Sequence, residues 1–151
     1  MTEQLPASPD PPARRIAMVV TALVATNAAG GAIYGIAGAD AVPDEWLDGS
    51  PFDSYLLPAL FLGLVVGGLH AIASLWLARR DPRARRATLL AGTVLVLWIA
   101  AQVAIIGYVS PLQPVMFLTG LAEAWLALLL AAERFVPAAT PSRARSRSPR
   151  S

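Results

Sequence analysis

Four long apolar stretches alternate with short polar connections along the chain, at about residues 16–37, 55–78, 87–109 and 115–133. Each holds about 20 residues, and at about 1.5 Å of helical rise per residue that length covers a hydrocarbon core of roughly 30 Å. The pattern therefore predicts four membrane-spanning helices. Because the connections are short, consecutive helices are expected to run in opposite directions. The predicted fold class is all-α, an integral membrane up-down four-helix bundle.

The two ends of the chain lack the apolar pattern. Residues 1–13 and the Pro, Ser and Arg-rich residues 137–151 are predicted to be disordered cytoplasmic tails, which leaves 14–136 as one transmembrane domain. A cleaved signal peptide is an alternative for the first stretch, because the small residues 37–39 fit a cleavage site. A signal peptide usually has an apolar region of only about 7–15 residues, so a retained span is favoured.

Charge is distributed unequally between the connections. All twelve basic residues are arginines, and they lie before the first stretch, within residues 79–86 and after the fourth stretch. The charged residues of the connection at 38–54 are all acidic, and the connection at 110–114 has no charged residue. Basic residues stay on the cytoplasmic side of a membrane. We therefore expect a multi-pass protein of the bacterial inner (plasma) membrane with both termini in the cytoplasm.

The positions of the arginines determine how the high isoelectric point of about 9.7 is interpreted. Arginines grouped beside membrane spans contact anionic lipid head groups, each with about 1 kcal/mol of attraction near the surface. Lipid is therefore the expected partner of the basic residues, and nucleic acid is not. The predicted lipid contacts are Arg79, Arg80, Arg83, Arg85 and Arg86.

Each predicted helix carries a strongly hydrogen-bonding side chain at a similar depth. Asn27, Trp98 and Glu123 fall near the midplane, His70 falls slightly toward the arginine side, and Gln102 falls one turn the other way. A polar side chain that faced lipid would lack a partner, at a cost of several kcal/mol. We therefore predict an intramembrane polar centre in which Glu123 pairs with His70, bridged or flanked by Gln102 and Asn27.

Two interpretations of this polar centre stay open, a proton-handling or substrate-binding centre and a structural tie between helices. An ionised Glu123 alone would cost about 3 kcal/mol at the bilayer centre, so a partner is required in either case. One His and one Glu are too few ligands for zinc. The chain has no Cys, which excludes disulfides, thiolate nucleophiles and Cys-ligated metals. No metal, cofactor or catalytic group is therefore assigned.

Small residues at regular spacing predict close helix contacts. Gly31 with Gly35, and Gly63 with Gly67, form two Gly-x-x-x-Gly motifs. In lipid, such motifs let helix backbones approach closely. They are expected to pack the first helix on the second, with homodimer formation as the alternative.

Aromatic and amide residues mark the arginine-free side. Trp46, Phe52, Tyr55 and Gln113 lie in or beside its two connections, where aromatic rings suit the head-group layer. We predict that they form an outer-loop interface for a membrane-protein partner.

Several short stretches carry a resemblance. They are Glu45-Trp46-Leu47-Asp48-Gly49-Ser50-Pro51-Phe52, Tyr55-Leu56-Leu57-Pro58, Val65-Val66-Gly67-Gly68, Trp98 to Gln102, and Ile106-Gly107-Tyr108-Val109-Ser110 with Leu112-Gln113-Pro114. In these stretches the chain resembles a group of small bacterial, actinobacterial-type four-span membrane proteins with no assigned activity. The resemblance implies the four-span fold over roughly residues 16–132 and implies no function. It would make Trp46, Ser50, Pro51, Gln102, Gln113 and Pro114 a shared outer-face feature.

Two functional classes therefore remain. The first is a non-catalytic accessory or partner-binding membrane subunit. The alternative is a small proton-linked carrier or lipid-active membrane enzyme that uses Glu123 and His70. The sequence has no second acid beside Glu123, no nucleophile constellation and no repeat symmetry, which favours the first class.

Overall fold

The computed structural model describes residues 12–48 and 50–132. Within those ranges the chain is helical and has no strand. Four helices are long and apolar enough to cross a membrane: α1 (Pro12–Ile36), α2 (Leu56–Ala78), α3 (Ala84–Ile106) and α4 (Leu112–Ala132). A short 3₁₀ turn, Asp44–Leu47, lies in the connection between α1 and α2. Apart from Pro12 and Ala13, the predicted tails lie outside the described residues.

The helix ends differ from the predicted bounds for local reasons. α1 begins at Pro12, four residues early, because the fixed φ of proline suits the first helical turn and its missing N–H is not needed there. α3 begins at Ala84, where the carboxylate of Asp81 accepts a hydrogen bond from the backbone N–H of Arg83 at 2.7 Å. α3 ends at Ile106 because Gly107 has a φ of 74°, outside the helical region.

α2 is not a regular α-helix along its whole length. Residues Phe61–Gly67 wind as a π-helix between two α-helical parts, Leu56–Leu60 and Gly68–Ala78. π-Helical turns are rare and occur often at functional sites. This one ends three residues before His70.

The arginine-bearing ends of the helices pack closely. A buried cluster joins the start of α1, the end of α2, the start of α3 and the later part of α4 through Ala13, Ala17, Leu77, Ala84 and Leu126. A second cluster, Ala73, Ala87 and Ala91, joins α2 to α3. We call this region the arginine half. Its buried side chains are mostly alanines, so the helix backbones lie close together.

The opposite region, which we call the loop half, has a core of larger side chains. Val24, Ala28, Val66, Leu95 and Ile99 form its buried cluster, with Trp98, Met116 and Phe117 packed against it. Contacts between α2 and α3 lie mainly on the Gly68–Ala78 part of α2, so the two helices are less closely packed in the loop half.

Candidate functional site

His70 and Glu123 form a buried pair between α2 and α4. His70 Nε2 lies 2.9 Å from Glu123 Oε2, and both side chains have 0% exposure. The two residues are 53 positions apart in sequence. The structure therefore brings together the two residues at the centre of the predicted polar cluster.

The second ring nitrogen of His70 fixes the position of one proton. His70 Nδ1 is 2.6 Å from the carbonyl oxygen of Val66, in the π-helical segment. A carbonyl oxygen can only accept, so Nδ1 must carry a proton. The contact at Nε2 then requires one further proton, held between Nε2 and Oε2. With that proton at either atom, the pair as a whole has no net charge, which lowers the cost of burying it.

Only one of the two carboxylate oxygens of Glu123 has a hydrogen-bond partner among the described residues. Its other carboxylate oxygen, Oε1, is buried and has no hydrogen-bond partner within residues 12–48 and 50–132. A buried oxygen without a partner costs roughly 1–3 kcal/mol. The pair therefore retains one unused acceptor.

Two glycines that the sequence interpretation missed bring α3 and α4 together beside Glu123. A Cβ atom added at Gly92 would lie 2.6 Å from the carbonyl oxygen of Gly120 and 2.9 Å from Glu123 Cβ. Neither glycine belongs to a Gly-x-x-x-Gly motif, but each is the only glycine in its helix. An isolated glycine inside a helix costs about 1 kcal/mol relative to alanine, and that cost is a signal that could have identified them.

The other predicted members of the polar centre do not join the pair. Gln102 is half-buried and Asn27 is exposed, and neither side chain hydrogen-bonds to Glu123 or His70. Trp98 stacks on Phe61 with ring centroids 4.7 Å apart. The prediction that Gln102 and Asn27 bridge the pair was therefore wrong. The pair is already enclosed by close packing between the two halves, whereas Asn27, Trp98 and Gln102 lie in the loop half.

Asn27, Trp98 and Gln102 instead line a cavity of about 420 Å³ in the loop half. Its walls are mainly apolar side chains from all four helices, and its cover includes Trp46, Phe52 and Tyr55 from the first connection. His70 and Glu123 do not line it, but Val66, whose carbonyl oxygen holds His70 Nδ1, does.

The predicted glycine motifs lie at the contact between α1 and α2. A Cβ added at Gly35 would lie 2.6 Å from Ala59 Cβ, and one added at Gly63 would lie 2.7 Å from Ala32 Cβ. The corresponding distances are 2.9 Å from Gly31 to Leu62 Cδ2 and 3.3 Å from Gly67 to Ala28 Cβ. These glycines therefore serve contact within the chain.

The predicted outer-loop residues have unequal surroundings. Trp46, Phe52 and Tyr55 are half-buried. The Tyr55 hydroxyl donates to the carbonyl oxygen of Pro43 at 2.6 Å, which ties the connection to the start of α2. Burial, and secondarily the negative charge of Asp44, raise the pKa of Tyr55 above its ordinary value of 10.0.

Gln113 corrects one part of that prediction. Its side chain is buried, and its Oε1 accepts from the backbone N–H groups of Val109 at 3.0 Å and Ser110 at 3.3 Å. Its Nε2 donates to the carbonyl oxygen of Gly107 at 3.2 Å. Gln113 therefore holds the hairpin between α3 and α4 in place, and its side chain is buried rather than presented at the surface.

The arginine end has its own polar contacts. The Arg14 guanidinium donates to the carbonyl oxygens of Leu77 and Ala78 at the end of α2, with Nε at 2.8 Å from Leu77 O. Arg83 lies over the ring of Trp76 at 5.9 Å. Of the predicted lipid contacts, Arg79, Arg80, Arg83 and Arg86 are exposed and Arg85 is half-buried.

Comparison with known proteins adds no relative: no family model, curated protein or solved structure matches the chain. Among the described residues, no group of three or more His, Cys, Asp or Glu side chains is placed to hold a metal ion.

Proposed function

We propose that this chain is a multi-pass membrane protein with a non-catalytic role, an accessory subunit that binds a partner in the plane of the membrane. In this proposal α1 to α4 cross the plasma membrane as an up-down bundle with both termini in the cytoplasm. The arginines of residues 79–86 contact anionic lipids on that side.

Support for membrane embedding comes from the helix surfaces. In the most apolar 18-residue stretch of each helix, only 17–28% is buried inside the chain. Large apolar side chains such as Leu64, at 73% exposure, and Ile33, at 70%, point outward on all sides. Soluble monomers rarely expose continuous apolar surfaces of this extent.

The observation that carries the non-catalytic role is the sealed environment of the pair. His70 and Glu123 have no exposure and line neither described cavity. A substrate would have no route to them without a rearrangement of α3 and α4, whose contact at Gly92 and Gly120 is close. The pair then serves as a hydrogen-bonded tie between α2 and α4.

Orientation can be tested with single cysteines, since the chain has none of its own. In intact cells, a membrane-impermeant maleimide is expected to label Asp44→Cys, whereas Arg85→Cys should be labelled only after permeabilisation. The reverse pattern would overturn the orientation, and recovery of the chain in the soluble fraction would overturn membrane embedding.

Partner binding can be tested by photo-crosslinking in native membranes. A photoreactive residue at exposed Leu64 is expected to give one discrete protein adduct, and the same residue at fully buried Val66 should give none. Adducts only with lipid at Leu64 and at other outward positions would contradict the proposal.

One observation supports the alternative role as a proton-linked carrier or lipid-active enzyme, the unpartnered Oε1 of Glu123. Under that alternative, Glu123→Gln would abolish proton-coupled flux or turnover in proteoliposomes. Under the role proposed here, the native chain has no such flux to lose.

A further inference from the structure

The cavity in the loop half has the size and lining of a ligand site. Its volume of about 420 Å³ lies toward the lower end of the roughly 300–1,000 Å³ range of small-molecule sites. Most of the lining is apolar, including Leu62, Leu95 and Met116. These features suit one hydrocarbon chain rather than the two chains of a phospholipid.

Charge limits the chemistry of the occupant. Among residues 12–48 and 50–132, no Asp, Glu or Arg side chain lines this cavity, and the described arginines lie at the other end of the helices. A charged head group placed here would lose its hydration without gaining a counter-charge. The lining therefore favours an uncharged ligand.

Three polar groups that the helices contribute to the lining lack partners. The amides of Asn27 and Gln102 and the indole N–H of Trp98 all line the cavity, and none hydrogen-bonds to another group within the described residues. Each can donate a hydrogen bond, and the indole can only donate. Polar groups this deep in a membrane protein ordinarily have partners, so a ligand that offers hydrogen-bond acceptors would satisfy them.

We propose that this cavity binds one uncharged, single-chain lipid. Its hydrocarbon chain lies among the apolar side chains, and its carbonyl or hydroxyl group accepts hydrogen bonds from Asn27, Gln102 and Trp98. The exposure of Asn27, Ala101 and Ile105 places an opening of the cavity on the apolar surface of the helices. The inference rests on the proposed function in one respect, since the surrounding bilayer supplies the ligand.

The test uses the full chain in phosphatidylcholine nanodiscs, with Trp76→Phe and Trp125→Phe so that only the cavity-lining Trp46 and Trp98 fluoresce. The probe is a monoacylglycerol with a brominated chain, which quenches tryptophan on contact. The matched probe carries the same brominated chain on a phosphate monoester. The monoacylglycerol is expected to quench saturably, and the phosphate probe only weakly and in proportion to its concentration.

Variants locate the binding. Asn27→Leu with Gln102→Leu is expected to weaken monoacylglycerol binding about tenfold, the effect of losing two ordinary hydrogen bonds. Thr26→Leu is the control, because Thr26 is an exposed neighbour that bonds only to Ala22 O and does not line the cavity. If the double variant is not monodisperse, Gln102→Leu alone is expected to weaken binding about threefold.

Equal quenching by both probes, unsaturable quenching by the monoacylglycerol, or an equal loss in Thr26→Leu would overturn the inference. Those results would leave the cysteine-labelling outcome unchanged. Failure of the cavity proposal is therefore distinguishable from failure of the proposed membrane role.

Discussion

The arginine half and the loop half of the helices are packed in different ways. In the arginine half the buried side chains are mainly alanines, such as Ala17, Ala73 and Ala91, all at 0% exposure. In the loop half α1 and α2 are also in close contact, through Gly35 and Gly63, but the other buried side chains, such as Leu95 and Ile99, are larger and surround a cavity. Small side chains let helices approach until their backbones are in contact, whereas large ones hold them apart and leave space where shapes do not match.

The His70–Glu123 pair lies between these two regions, and this difference suggests a division of roles. The arginine half resists insertion of volume and fixes the relative positions of the helices. The loop half has room to accept another molecule. Four substitutions, each with a matched control, test this comparison.

The largest effect is expected at the pair itself. His70→Leu leaves Glu123 buried with neither oxygen partnered within the described chain, which should cost about 3 kcal/mol or more of stability. Glu123→Gln keeps a donor opposite His70 Nε2 and should cost far less. Thermal unfolding in detergent checks the difference, and a similar loss in both variants would show that the hydrogen bond is not what stabilises the contact.

The next largest loss of stability is expected when a larger side chain is introduced into the core of the arginine half rather than that of the loop half. Leu77→Phe adds volume to the arginine half, where Leu77 is 1% exposed, and should cost about 1–3 kcal/mol through overpacking. Ile99→Phe adds volume beside the cavity and should be tolerated more easily. Equal melting temperatures for the two variants would remove the distinction between the halves.

A smaller effect is expected at the end of α2. Arg14→Ala removes the hydrogen bonds to the last carbonyl groups of that helix and a favourable charge at its C-terminus, at a cost of about 1 kcal/mol. Arg15→Ala is the control, because Arg15 is the exposed neighbour. Equal destabilisation by both variants would assign the effect to net charge rather than to the helix end.

The smallest effect is expected in the loop half, at Tyr55. Tyr55→Phe removes the hydrogen bond to Pro43 and should cost about 1 kcal/mol or less. Because folding raises the pKa of Tyr55 above 10.0, the folded chain holds this proton more tightly than the unfolded chain. The stabilisation is therefore complete below pH 10 and is lost as the pH rises through the raised pKa.

Unfolding measured from pH 8 to 11 checks this sign. The stability difference between the native chain and Tyr55→Phe should shrink in the alkaline range. Exposed Tyr108, which has no hydrogen bond within the described residues, provides the control variant Tyr108→Phe. A difference that grows with pH would contradict the assignment.

The apolar pattern was sufficient to predict the four long helices, because segment length and composition depend only on local sequence. The meeting of His70 with Glu123 was also accessible, since a membrane offers few partners for a buried carboxylate. The positions of Gln102 and Asn27 could not be predicted from the sequence, because depth in the membrane does not specify between which helices a side chain lies. The contact between Gly92 and Gly120 was missed because single glycines form no motif.

The π-helical winding of Phe61–Gly67 has a consequence for chain length. A turn closed from residue i to residue i+5 contains one more residue than an α-helical turn, so α2 stores an extra residue there. Loss of a residue such as the outward-facing Leu64 could return the segment to α-helical winding. Ala59 would still face Gly35, and His70 would still face Glu123. Natural variation in the length of α2 is therefore expected to concentrate in that turn. A residue can be lost there without rotating either end of α2 away from its contacts.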